Sequence, residues 1–446
     1  MTSRRQFLVR GAAASVAAFT PNVLLAAIQK HTPPAPDLSS WNSVRAQFDL
    51  APDWIHLSTF FISSHPKPVR DAIAAYRKAI DANPYLEVDR RWFSEPPNNL
   101  QFKVRGDLAQ YLGGKPDEIA LTNSTTQGLG LVYNGLPLEP GDEVLTTAHD
   151  HYAQHESIRF ACEKSKARSR RIVLYEDPAR ATADDMVRRL REALRPETRV
   201  LGLTWVHSCT GVRIPVRAIA DMLAEANRTR GEAGRVRMVL DGAHALGAVD
   251  DAVAAVGCDF LCAGTHKWMF GPRGTGIVWA RAAEWARLRP TIPTFASFPA
   301  WDAWMEGKPP IQPVTAFDHS PGGFHAFEHE WAIGAAFQFH QQMGRARVAA
   351  RIAELNERCK RSLAALPKVR VITPLDPKLS AGIVCFEVTG VSADDVGKKL
   401  VARKIVAGPS PYLPSYPRFS PGVMNTPEEV DAAVAAVREI ANGTAG

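Results

Sequence analysis

Two stretches of this sequence end an apolar run on an ionisable residue. "RMVLDGAHALG" stops its run at Asp241, and "DFLCAGTHK" stops its run at Lys267. A third, "LTNSTTQG", sets Asn123, Ser124, Thr125 and Thr126 between a strand pattern and a helix start, and "VLTTAHDHYA" sets His149 and His151 after another strand pattern. An amine at the rim of an apolar pocket gives up its proton more readily than one in water, and can then form a Schiff base with an aldehyde. Small hydroxyl residues at a helix N-terminus bind phosphate through backbone N–H groups and the helix dipole. A buried aspartate can keep a pyridine nitrogen protonated. Pyridoxal phosphate (PLP) needs all three, because its protonated ring becomes the electron sink for a carbanion.

These residues need a frame that gathers them. From about residue 68 the chain alternates. "VRDAIAAYRKAID" has helical spacing. "EIALTNS", "EVLTTA", "RRIVLYE", "RVLGLTWVH", "RMVLDGA" and "DFLCAG" are short and apolar or β-branched, with helical patterns such as "TQGLGLVYNGL", "ADDMVRRLREAL" and "RAIADMLAEANR" between most of them. Strands alternating with helices predict a largely parallel sheet covered on both faces, with ligands at the carboxyl ends of its strands. A Trp- and Pro-rich stretch at about 288–322 breaks the rhythm and is expected to end the large domain. "WAIGAAFQFHQQM" and "ARVAARIAELNERCKRSLAAL" predict long helices, "AGIVCFEV" a strand and "SADDVGKKLVARK" a helix. The last helix, "TPEEVDAAVAAVREIA", carries Thr426, Pro427 and Glu429 in N-cap, N1 and N3 places, which is a capping box.

The 446 residues are 46% hydrophobic, enough for one large core and a smaller one. The net charge is +7, but Arg4, Arg5, Arg10 and Lys30 lie in a first 30 residues without any acid, so the remainder is only weakly basic and nothing argues for nucleic acid. The one dense basic run, "KSKARSRR" at 164–171, reads as a solvated connector. No apolar run approaches the roughly 18 residues of a spanning helix. "TSRRQFLVRGAAASVAAFTPNVLLAA" has the charged head, apolar middle and small residues near Ala26 and Ala27 of a signal peptide, and Arg4-Arg5 before Gln6, Phe7 and Leu8 fits twin-arginine export. That predicts a twin-arginine translocase as partner during export, and a periplasmic location. The six cysteines have irregular spacings, and most read as small core residues.

The pattern "DGAHALGA…CDFLCAGTHKWMFGPRGTGIVW" resembles the fold-type I, class V aminotransferase-like PLP enzymes, which include cysteine desulfurases, kynureninase-like lyases and isopenicillin N epimerase. The resemblance runs from about "WNSVRAQFDLAPDWIHLSTFFISSHPKPV" to the end. It implies the α/β PLP-dependent transferase fold, with a mostly parallel seven-stranded sheet between helices and a small α+β C-terminal domain. The expected divisions are a signal peptide (1–27), a linker and N-terminal segment (28–67), a large PLP-binding domain (68–320), and connecting helices with the small domain (321–446). It also implies a homodimer and a small amino-acid-type substrate.

By the same resemblance Lys267 forms the Schiff base and moves protons at the substrate α-carbon, and Asp241 pairs with the pyridine nitrogen. His244 bonds the cofactor's phenolic oxygen. His151 stacks on the ring, with Tyr152 as competitor, while Thr125, Thr126 and His266 hold the phosphate. Ser208 in "WVHSCTG" stands where the family has asparagine, and Gly264 where it has serine. "PRFSPGVMNTPEEVD" puts Arg418 on the substrate α-carboxylate, where its planar fork suits a bidentate pair. The segment "ARKIVAGPSPYLPSYPR" lacks the cysteine that desulfurases carry on a mobile loop, which argues against that activity. The implied chemistry is epimerase, transaminase or lyase, with tailoring of an exported peptide or siderophore as one use. Two alternatives stand beside it: a zinc peptidase through His325-x-x-Glu328-His329, and a PLP fold that binds without catalysis.

Overall fold

The computed structural model describes residues 36–295, 297–309 and 313–443; the expected signal peptide lies outside the described residues. From Leu38 onward the chain forms one unit. Its centre is a seven-stranded sheet: β1 (Ile119–Thr122), β2 (Glu143–Thr147), β3 (Arg168–Ile172), β4 (Thr198–Thr204), β5 (Arg237–Asp241), β6 (Phe260–Gly264) and β7 (Gly276–Ala280), in the order β1-β7-β6-β5-β4-β2-β3. Only β7 runs antiparallel to its neighbours. The strands β1, β2, β6 and β7 are buried at every position, as a sheet covered on both faces requires.

The basic run is a connector only at Lys166 and Ala167, which link the helix Tyr152–Ser165 to a strand. Among the described residues Arg168–Ile172 is the edge strand β3, paired in parallel with β2 alone. An edge strand keeps one side in water, so arginines are tolerated there and block pairing with another chain. Arg170 also turns back to Glu143, with Nε 2.7 Å from Oε2. The expected "RRIVLYE" strand therefore starts earlier and ends at Ile172, while Leu174 and Tyr175 pack as buried residues beyond it. Strand β7 escaped the sequence reading because no helix separates it from β6. The link, residues 265–275, is a reversed loop stitched by Thr265 N–H to the Thr275 carbonyl (3.1 Å) and Gly271 N–H to the Thr265 carbonyl (2.8 Å). A Cβ on Gly271 would lie 2.4 Å from Thr265 Oγ1, and Gly274 has φ +74°, so the glycines let this loop fold onto itself.

A second, antiparallel sheet comprises β8 (Val369–Val371), β9 (Val384–Val388), β10 (Gly408–Pro409) and β11 (Pro417–Phe419), in the order β10-β11-β9-β8. Helices Arg345–Ala364, Ala393–Ala402 and Pro427–Asn442 accompany it, with Leu355, Leu363, Phe386, Phe419 and Val434 in a shared core. The last helix starts with the expected capping box: Glu429 N–H donates to Thr426 Oγ1, and Thr426 N–H to Glu429 Oε2, both at 3.2 Å. The Trp- and Pro-rich stretch holds the helix Phe298–Met305 and a short turn, Ala316–His319. All six cysteines are buried and unpaired. Among the described residues no helix is long and apolar enough to cross a membrane.

Candidate active site

Strand register decides which side chains meet. Thr204 pairs with Asp241, and Asp241 with Cys262, so the ends of β4, β5 and β6 lie at one rim. Asp241 is buried at that rim (3% exposed), and its Oδ1 accepts only the Ala243 N–H, at 2.9 Å, among the described hydrogen bonds. Burial in the apolar sheet pushes its carboxyl up to about 6, against weaker help from that N–H and from Lys267. Lys267 follows β6, and Ser63 fixes its backbone, donating from Oγ to the Lys267 carbonyl (2.7 Å) and from N–H to the His266 carbonyl (3.0 Å). The Lys267 amine lies 3.2 Å from His244 Nε2. Burial lowers it to about 8, opposed by Asp241 and assisted by Arg418. Burial, then Lys267, holds the His244 imidazole neutral, and its Nδ1 is buried without a partner.

On one flank, helix Thr125–Gly135 begins beside β6. Its cap is Ser124, whose Oγ accepts the Gln127 N–H at 3.1 Å, so the first-turn N–H groups of Thr125 and Thr126 remain for a ligand. Thr125 Oγ1 accepts the Gly264 N–H at 2.7 Å and keeps its own proton to donate. A Cβ on Gly264 would come within 2.9 Å of the His266 ring and 3.3 Å of Thr125 Oγ1, so a side chain there would need His266 to shift. Burial lowers His266 to about 4.

On the other flank, His151 caps helix Tyr152–Ser165, its Nδ1 accepting the Ala153 N–H at 3.1 Å. Tyr152 is 72% exposed, which removes it as a competitor for stacking. Asp150, between the two rim histidines, is buried and accepts four bonds: from Thr146 Oγ1, Thr147 N–H, Thr147 Oγ1 and Thr204 N–H, at 2.7–2.9 Å. His149 stacks on Tyr175, with centroids 3.9 Å apart.

Arg418, on β11, closes the site. It is 7% exposed and lies 4.0 Å over the Phe60 ring; its two NH groups donate to the carbonyls of Ser208 (3.1 Å) and Pro409 (3.0 Å). Its Nε is buried without a partner. Ser208 Oγ meets the Tyr412 hydroxyl at 2.6 Å. The structure thus gathers Lys267, Asp241, His244, His151, Thr125, Thr126, His266, Ser208 and Arg418 around one rim. Sequence reasoning missed Asp150, Phe60 and Tyr412. The only signals were two threonines ahead of Asp150, and two tyrosines, Tyr412 and Tyr416, among prolines ahead of Arg418.

The metal alternative fares differently. His325 precedes the helix Phe327–Trp331, so it does not share a helical face with His329. Its Nε2 pairs with Glu330, not Glu328, at 3.1 Å, and His329 Nδ1 turns to the Arg273 carbonyl at 2.9 Å. Among the described residues no three His, Cys, Asp or Glu side chains are placed to hold a metal ion.

The donor set fits PLP. A lowered amine, a buried carboxylate without a cation bonded to it, free N–H groups at a helix start and an orphaned His244 Nδ1 are groups that a charged, phosphorylated aromatic aldehyde would satisfy. Comparisons with known proteins agree. The chain is 29% identical to isopenicillin N epimerase of Streptomyces clavuligerus over 412 residues, 88% of this chain and 96% of that protein. It is 24% identical to a probable cysteine desulfurase of Vibrio cholerae, covering 89% and 98% of the two chains. The solved structure of a C-DES mutant with glycine covalently linked to its PLP cofactor superposes with a TM-score of 0.76 at 21% identity, covering 89% of this chain and 99% of that one. The family pattern described as aminotransferase class-V matches residues 63–432. This chain therefore belongs to the class V aminotransferase family of PLP-dependent enzymes.

Proposed function

We propose that this protein moves a proton at the α-carbon of an amino acid or an amino-acid-bearing metabolite, and that the outcome is epimerisation. The observation that carries the reading is Lys267, held next to neutral His244 and within the field of Asp241, in a site closed by an arginine with an orphaned Nε. Bound PLP supplies the electron sink that accepts the pair left when the α-C–H bond breaks. Lys267 would hold the cofactor and then take or return the α-proton; its lowered pKa keeps a usable fraction of neutral amine near pH 8. Asp241 would keep a proton on the pyridine nitrogen, and gains a cation for its buried charge in doing so. Thr125, Thr126 and His266 would hold the phosphate, His244 and Ser208 the phenolic side of the ring, and His151 one ring face. Arg418 would orient the α-carboxylate through Nε and a shared NH.

The absence of a thiol on the 407–416 segment, with all six cysteines buried elsewhere, favours proton movement over sulfur transfer. The 29% match to an isopenicillin N epimerase points the same way. In the same reading the chain is exported by the twin-arginine route and works in the periplasm as a homodimer. Arg4-Arg5 and the family fold support these two points, and cell fractionation and sedimentation test them. The test of function is incubation of the PLP-loaded enzyme in D2O with isopenicillin N and a panel of L- and D-amino acids. Deuterium at Cα together with the opposite enantiomer is expected. Keto-acid product would make it a transaminase instead, and release of a β-substituent a lyase.

A further inference from the structure

Inversion at carbon removes a proton from one face and returns one to the other, and two carriers, one on each face, do this without moving the substrate. Lys267 is one. A group for the other face stands on the segment already noted for its lack of a cysteine. Residues 410–416 form a loop pinned at its base: Ser410 N–H donates to the Tyr416 carbonyl (2.8 Å), Tyr416 N–H to Ser410 Oγ (3.0 Å), and Ser415 Oγ to the Ser410 carbonyl (2.6 Å). At its tip Leu413 is 98% exposed, while Tyr412 turns inward. The Tyr412 hydroxyl meets Ser208 Oγ at 2.6 Å, and its ring meets His151 edge-on at 6.2 Å. Ser208 is also the residue whose carbonyl holds Arg418. The phenol thus lies between the anchor of Arg418, which would hold the α-carboxylate, and His151, which would stack on the ring, and the α-carbon of an amino acid held by those two residues would lie beside it. Burial raises its pKa, and the phenol feels the charges of Asp241 and Arg418, so it enters the reaction with its proton on. It also reaches the site from β10–β11, an element separate from the β6–β7 loop that carries Lys267.

Resting on the epimerase reading, we infer that Tyr412 is the second proton carrier, acting on the α-carbon face opposite Lys267. Lys267 takes the α-proton and the electron pair stays behind. Tyr412 gives its phenolic proton to the other face, and that pair forms the new C–H bond. The site is left as ammonium and phenolate, and exchange with solvent resets both. In the reverse direction Tyr412 phenolate is the base and the Lys267 ammonium the acid. Ser208 is a positioning residue that holds the phenol.

The experiment compares PLP-loaded wild type, Tyr412→Phe and Ser208→Ala in D2O, with isopenicillin N and the amino-acid panel as probes. Deuterium exchange at Cα and inversion are read separately, and thermal unfolding checks the fold. Tyr412→Phe should lose inversion by roughly a hundredfold or more, on the scale of a general acid–base group, while exchange with retention continues through Lys267. Ser208→Ala should slow inversion less. A second readout needs no substrate: the wild-type minus Tyr412→Phe ultraviolet difference spectrum should show one phenol titrating above the ordinary tyrosine range. Inversion by Tyr412→Phe at the wild-type rate would overturn the assignment alone. So would equal loss of exchange and inversion in a folded variant, or a difference spectrum with an ordinary phenol. A wild type that exchanges or converts probes without inverting any would overturn the epimerase reading, and this assignment with it.

Discussion

Two buried clusters of charge in this molecule resolve in opposite directions. In the corner at His325, burial opposes both charges, but Glu330 pairs with His325 at 3.1 Å and accepts Gln101 Nε2 at 2.8 Å. The result is a carboxyl held below its ordinary range and an imidazole held above it. At the sheet rim, Asp241 and Lys267 share a pocket but no ion pair is formed between them. Here burial wins: the carboxyl rises to about 6 and the amine falls to about 8. Both clusters contain the residue types that suggest chemistry. The paired one offsets its own charges through an ion pair, though His325 Nε2 is not aligned for a hydrogen bond, and its members hold structure together. The unpaired one carries a desolvation cost that only a ligand can relieve. Perturbed ionisation marks a functional site when the shifts favour the neutral forms and a partner is missing.

Substitutions can break this contrast, the largest effect first. Lys267→Ala should abolish turnover by about a thousandfold or more in steady-state assays, as loss of a covalent nucleophile does, with little change in folding. Glu330→Gln should do the reverse. Removing one partner of a buried pair costs about 3 kcal/mol, readable as a lower denaturant midpoint, while kcat per folded enzyme is unchanged. A Glu330→Gln variant that folds normally but loses activity would erase the distinction between the two clusters.

Asp241→Asn sharpens the comparison through pH. A carboxyl raised from its ordinary value to about 6 favours folding below pH 4, and this contribution is lost as pH rises through about 6. At pH 7 the penalty in the cofactor-free protein is about 2–3 kcal/mol. The asparagine variant should therefore be more stable than wild type without PLP at pH 7, equally stable near pH 4, and should bind PLP more weakly. Urea unfolding at the two pH values checks the sign. Arg418→Lys should act least: loss of the planar fork removes about 2 kcal/mol of carboxylate binding. It should appear as a raised KM for the substrate with a smaller change in kcat.

Much of this was legible in the sequence. Apolar runs that stop at Asp241 and Lys267 forecast both the sheet and the rim, although the second strand ends at Gly264 and Lys267 stands three residues beyond it, because a side chain just past a parallel strand has few places to go. Thr426 and Glu429 forecast a helix start, since a capping box is local in sequence. The basic strand Arg168–Ile172 was hidden because its partner β2 supplies the hydrogen bonds, and an edge position needs no apolar pattern. Tyr412 was hidden for a different reason. Its meaning depends on Ser208, 204 residues away in sequence, which no local pattern reveals. His325-x-x-Glu328-His329 misled for the converse reason. It is a local pattern, and the turn before Phe327 places its histidines on different structures.

The central claim is that the unpaired amine at the rim is the point where the cofactor is held. Purified protein should be loaded with PLP, reduced with borohydride, digested and mapped. One reducible visible band, absent from Lys267→Ala, and a single pyridoxyl-modified peptide containing Lys267 are expected. A band that persists in the variant, or a label on another lysine such as the buried Lys360, would contradict it.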